Sequence, residues 1–120
     1  MSLQDSYCAL ETLPATFAEG ASLSAPINLH GLRLFGLALP SEWTEASITF
    51  QTSADDGSTW ADMQTQDGNE LSAVATAGNC TVLDPLPFAA AQHLRLRSGS
   101  SSAPVAQEAA RTLRLILRSV

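Results

Sequence analysis

The chain has 120 residues, a length that fits one domain burying about two-thirds of its unfolded surface around a single core and leaves no room for a two-domain enzyme. Hydrophobic residues make up 45% and charged residues 15%, with 12 acids against six arginines, no lysine and a formal net charge of −6. That balance argues against nucleic acid as a partner and removes both a lysine Schiff base and a P-loop lysine, and no stretch approaches the roughly 18 apolar residues of a membrane span.

The opening Met1-Ser2-Leu3-Gln4-Asp5 lacks the basic then apolar layout of a signal peptide. For an untrimmed chain this leads one to expect manufacture and use in the cytoplasm, or export by something other than the general secretion route. Residues 1–20 carry apolar groups without clear alternation and read as an N-terminal arm or first strand that packs on the domain or on a neighbouring subunit. Residues 21–120 read as one domain. Cys8 and Cys80 are too few for a disulfide framework and lack metal-ligand spacing, so both are expected as reduced, partly buried thiols.

From residue 21 the apolar period is two, the spacing of half-buried strands. Strands are predicted over 21–29, 32–39, 47–53, 59–64, 70–76, 80–83, 93–97 and 111–118. Turn chemistry divides them. Asp55-Asp56-Gly57, Asp67-Gly68-Asn69 and Ala77-Gly78-Asn79 supply glycine where positive φ is needed, and Pro40-Ser41 and Asp84-Pro85-Leu86-Pro87 end strands because proline cannot donate to a ladder. Helical signal is confined to the alanine-rich pieces 88–92 and 105–111, too short for stable helices. The fold class is therefore all-β, an antiparallel two-sheet sandwich of about eight strands, jelly-roll-like. Residues 98–110 form a long loop between two strong strands, of a length that often belongs to binding elements.

Charge is unevenly placed. Seven acids and no base lie between Glu42 and Glu70, whereas five arginines stand against Glu108 alone from His93 onward. Arg95 and Arg97 share one face of their strand, as do Arg114 and Arg118 of theirs. If the two strands lie side by side, the four form a patch suited to contacts between copies or with a larger assembly; the alternative is that their stems cover an edge sheet while their heads meet internal acids.

Catalytic signatures are thin. There is no Gly-x-Ser-x-Gly elbow, and His30 and His93 read as structural or surface histidines rather than ligands. Asp55-Asp56-Gly57-Ser58 and Asp67-Gly68-Asn69-Glu70 offer oxygen ligands but miss the calcium-loop pattern, and hairpins select these residues for backbone reasons. No cofactor and no metal is expected. Trp43 or Trp60, with Asp55, Asp56, Asp67 and Asn69, has the composition of a sugar-stacking surface, against a simpler reading of both tryptophans as core.

The run Leu39-Pro40-Ser41-Glu42-Trp43-Thr44-Glu45-Ala46-Ser47-Ile48-Thr49-Phe50-Gln51-Thr52-Ser53, followed by Asp56-Gly57-Ser58-Thr59-Trp60, Leu94-Arg95-Leu96-Arg97-Ser98-Gly99, Ala103-Pro104-Val105-Ala106-Gln107 and Arg111-Thr112-Leu113, resembles small structural proteins of tailed bacteriophages and gene transfer agents. The likeness spans roughly residues 20 to 118. It implies a β-sandwich on the virion, as a head decoration, spike or fibre-base component. It further implies oligomers, other virion proteins and host polysaccharide as partners, no membrane, and no catalytic residues to carry over.

Overall fold

A computed structural model describes residues 10–119, the side chain of Leu10 excepted. Nine strands follow in order: β1 (Leu10–Phe17), β2 (Ile27–Asn28), β3 (Arg33–Ala38), β4 (Ile48–Ser53), β5 (Ala61–Asp62), β6 (Ser72–Ala73), β7 (Cys80–Val82), β8 (His93–Ser98) and β9 (Arg111–Arg118). They form two antiparallel sheets, the first in the order β1-β9-β3-β7 and the second β2-β8-β4-β5, with β6 also paired to β4. Successive strands cross between the sheets except at β4 to β6, so two Greek keys interleave and the all-β sandwich is a jelly roll.

Alternation builds the core. Leu113, Leu115 and Leu117 of β9 are fully buried while the flanking Thr112 and Arg114 are exposed, and Leu94 and Leu96 of β8 are buried on the second sheet. Each such leucine contributes about 1.5–3 kcal/mol relative to an exposed one. Aromatic edges close the sandwich at two points. Phe17 meets Trp43 with ring centroids 5.3 Å apart, and Phe50 meets Phe88 at 5.0 Å. Phe88 is delivered by a 3-10 turn, Leu86–Ala90, which starts after Pro85 where a missing N–H costs nothing.

Within the segment read as an arm or first strand, the stretch from Leu10 to Phe17 is a strand that pairs along its full length with β9. Ala15 and Phe17 are buried at the inward positions. Pro14, just before Ala15, hides the alternation from a sequence reading. Thr16 accepts a hydrogen bond on its carbonyl from Ala25, away from β9, and backbone groups of alternate residues point the same way, so Pro14 also points outward. Its missing donor therefore costs no ladder bond. Residues 1–9, with Cys8, lie outside the described residues.

The predicted strands over 59–64 and 70–76 shrink to β5 and β6, two residues each. Their continuation is a hairpin held by single bonds, Met63 N–H to the Phe50 carbonyl and Leu71 N–H to the Met63 carbonyl, with an isolated bridge between Gln64 and Glu70. In β3 the register slips between Leu34 and Gly36, a bulge that sets Gly36 beneath Ile116, whose Cδ1 would lie 3.3 Å from any added Cβ.

Candidate functional site

Outward positions of β4 and β8 pair Thr49 with Arg97, Gln51 with Arg95 and Ser53 with His93, giving the second sheet a polar outer face. Arg97 is its centre. The residue is buried, 6% exposed, although its side chain points away from the sandwich core. Such burial requires partners, and the 62–70 hairpin and β4 supply them: Nη1 donates to Asp62 at 2.9 Å, Nη2 to Glu70 at 2.7 Å, and Nε to the Thr49 hydroxyl at 3.0 Å. Thr49 in turn donates to the Gly99 carbonyl at 2.7 Å. Ser101 completes the cluster by donating its N–H to Glu70 and its hydroxyl to Asp62. Hydrogen bonds from Gln51 first, then from Arg97, hold the Asp62 carboxyl below the usual range.

Beside it, Arg95 donates through Nε and Nη2 to Oε1 of the Gln51 side chain, and its guanidinium lies 4.5 Å from the Trp60 ring centroid. Burial, then the nearby Arg97 charge, lowers its pKa. His93 Nε2 approaches Asp56 at 3.2 Å.

The 98–110 loop is a fitted part of the domain. Gly99 takes φ +90°, where a Cβ would collide with the Ala103 carbonyl at 2.5 Å, and Val105 N–H returns to the Ser98 carbonyl. Gln107, fully buried, accepts from Thr44 N–H on Oε1 and donates Nε2 to the Thr44 carbonyl and the Ser98 hydroxyl. Its own N–H reaches the Ala21 carbonyl, and its carbonyl accepts from Gly20. Sequence reading missed Gln107, because a single amide in a polar loop carries no periodic signal.

The expected four-arginine patch does not form. β8 lies in the second sheet and β9 in the first. Arg97 meets the acids Asp62 and Glu70, Arg95 meets Gln51 and Trp60 instead, and Arg114 and Arg118 lie across the sandwich. There Arg118 stands directly opposite Arg33, a partner that sequence position alone did not suggest.

The sugar-stacking set also separates. Trp43 is 4% exposed, packed on Phe17, with Nε1 donating to the Ala46 carbonyl, so it has no face for a sugar ring. Trp60 is half-buried beside Arg95, Asp55 and Asp56 belong to the turn after β4, and Asp67 and Asn69 lie in the following hairpin turn. Asp55 is committed to its own turn. It accepts from Thr59 N–H, the Thr59 hydroxyl and the Ser53 hydroxyl, and the Thr59 bonds above all hold its pKa at about 2. Among the described residues no group of three or more His, Cys, Asp or Glu could hold a metal ion. His30 is exposed at φ 53° in the β2–β3 turn, its N–H capped by Asn28, and Cys80 is exposed on β7, not partly buried as expected.

An open groove of about 530 Å³ runs between the 3-10 turn and the 62–66 segment, lined by Met63, Leu86, Pro87 and Ala90 with polar rims. Its lining contains no histidine or cysteine. Among the described residues no helix is long and apolar enough to cross a membrane.

The fold and these surfaces define a small jelly-roll domain in which the buried Arg97 and Gln107 hold its loops together. No protein-family model matches the chain, and no curated protein matches it. Among solved structures it is similar to the crystal structure of the SPBc2 prophage-derived protein YomS, with a TM-score of 0.56 at 14% identity, over 92% of this chain and 96% of that one. At that identity the likeness concerns the fold.

Proposed function

We propose that this chain is a noncatalytic structural component of a phage-like particle, acting as an oligomer on the virion as a head decoration, spike or fibre-base protein. The observation that carries the reading is the match in fold to a prophage-derived protein over nearly the full length of both chains. Jelly rolls recur in viral shells, though fold alone does not fix function. The surfaces support the same reading. Arg97, Asp62, Glu70, Asp55 and Gln107 are all consumed by holding loops in place, which suits a rigid building block better than a reaction centre.

The test is to purify particles from cells that make this chain and to locate it by labelled electron microscopy, with light scattering on the isolated protein. The expected result is regular labelling of head or tail and a mass several times that of one copy. Absence from particles would overturn the proposal.

A further inference from the structure

Two groups of exposed charge lie toward opposite ends of β9. At its start, Gln107 draws residues 20, 21 and 44 together, and the next residue, Glu108, donates its N–H to the Thr44 hydroxyl at 3.2 Å. Glu19, Glu42, Glu45 and Glu108, all exposed, therefore stand around one clasp, with Arg111 beside Glu42.

Toward the other end, the outer face of the first sheet carries Arg33, Arg114 and Arg118. Leu34 and Leu117 are paired and buried, so the paired Arg33 and Arg118 next to them face outward; Arg114, between buried Leu113 and Leu115, faces the same way. Arg33 and Arg114 make no ion pair with any described residue. Glu11, the acid within this sheet's strands, pairs with Leu117 and so has the opposite parity. The guanidinium groups of Arg33 and Arg114 leave the face cationic, so it gains from an anionic partner. Between the arginines lie Ile116 over Gly36 and, at the edge, Val82, 85% exposed. Arginine around a flat aliphatic centre without lysine is the composition of a protein contact.

We infer that this arginine face docks on the glutamate rim of a second copy, head to tail. The inference rests on the oligomeric reading above and names its contact. A second copy is the occupant because one chain carries both complementary surfaces, at separate places on a domain of 43 × 31 × 26 Å, and because the glutamates are too dispersed to hold a metal ion but suit a spread of guanidinium groups. Such a contact is heterologous and closes into a ring or continues as a filament.

Sedimentation velocity on the full chain tests it, with wild type, R33E/R114E, E42R/E45R and an equimolar mixture of the two variants. The wild type should associate and should weaken as salt rises from about 0.05 to about 0.5 M. Each variant alone should lose about a hundredfold in affinity. The mixture should associate again, since each variant keeps one intact surface and the reversed charges of the other surfaces match across the two variants. If circular dichroism shows R33E/R114E unfolded, the exposed single changes R114A and E45R carry the same comparison. An oligomer indifferent to both variants, or a mixture no stronger than its parts, overturns the contact and leaves an oligomeric particle protein standing. A wild type that is monomeric at every concentration and salt overturns both.

Discussion

Replacing Arg97 with methionine removes the group that two carboxylates and a loop are built around, and keeps the apolar stem. The Arg97 side chain is 8% exposed, but Asp62 and Glu70 are 40% and 30% exposed. Breaking a fully buried pair costs about 3–5 kcal/mol; water reaching these carboxylates cuts that roughly in half, to about 2 kcal/mol. With an unfolding entropy of about 0.25 kcal/mol/K for a chain of this length, the melting temperature should fall by about 8 °C. Differential scanning calorimetry at neutral pH reads this directly. The triple variant R97M/D62N/E70Q should recover at least half of the loss, because much of it is repulsion and desolvation of the orphaned acids. The Asp62 pKa is lowered in the fold, so its stabilising contribution is present above the ordinary value of 3.8 and fades as pH falls through the folded value. The gap between wild type and R97M should accordingly narrow in acid. A fall of less than about 2 °C for R97M, or a triple variant less stable than the single, would refute the assignment of Arg97 as the fastener of this face.

Gly99→Ala should cost more than about 3 kcal/mol in denaturant unfolding, combining a left-handed backbone with a clash, whereas Gly68→Ala, at φ +87° with nothing near its Cβ, should cost about 1 kcal/mol. The Asp55 carboxyl should titrate at about 2 by NMR and rise toward 3.8 in Thr59→Ala. Because that pKa is depressed, the turn's contribution is present above 3.8 and lost as pH falls toward 2. Trp43→Ala should destabilise by about 3–5 kcal/mol, and Trp60→Ala, which loses a partly exposed stack on Arg95, by about 1 kcal/mol or less; comparable effects would contradict their different burial.

Period-two runs such as His93-Leu94-Arg95-Leu96-Arg97 and 111–118 made the sandwich legible, since an amphipathic strand declares its inward face in every second residue. Glycine turns at 57, 68 and 78 fell at their expected places, each at positive φ. What pattern could not convey was which sheet each strand joins. Arg95 and Arg114 look equivalent in sequence, yet one lies over Trp60 on the second sheet and the other faces outward on the first. The difference arises from chain crossings whose information is distributed over the whole core. Arg33 and Gln107 were passed over for a related reason: an isolated polar residue acquires its role from neighbours 63 or 85 positions away in the chain. Trp43 could be read as platform or core until Phe17, in the segment with the least regular pattern, was found against it.

Pro14 bears on how copies can meet. The outward backbone of β1 lacks a donor at Pro14, and its Thr16 acceptor is already taken by Ala25. A foreign strand laid along this edge would find its hydrogen-bond ladder interrupted midway, so exchange or templated growth of β structure gains little there. Recruitment through the flanks of the sandwich then requires no strand to be released from its own sheet. Under the proposed head-to-tail contact, subunits would come and go fully folded, and an ill-fitting neighbour could leave without any strand being exchanged.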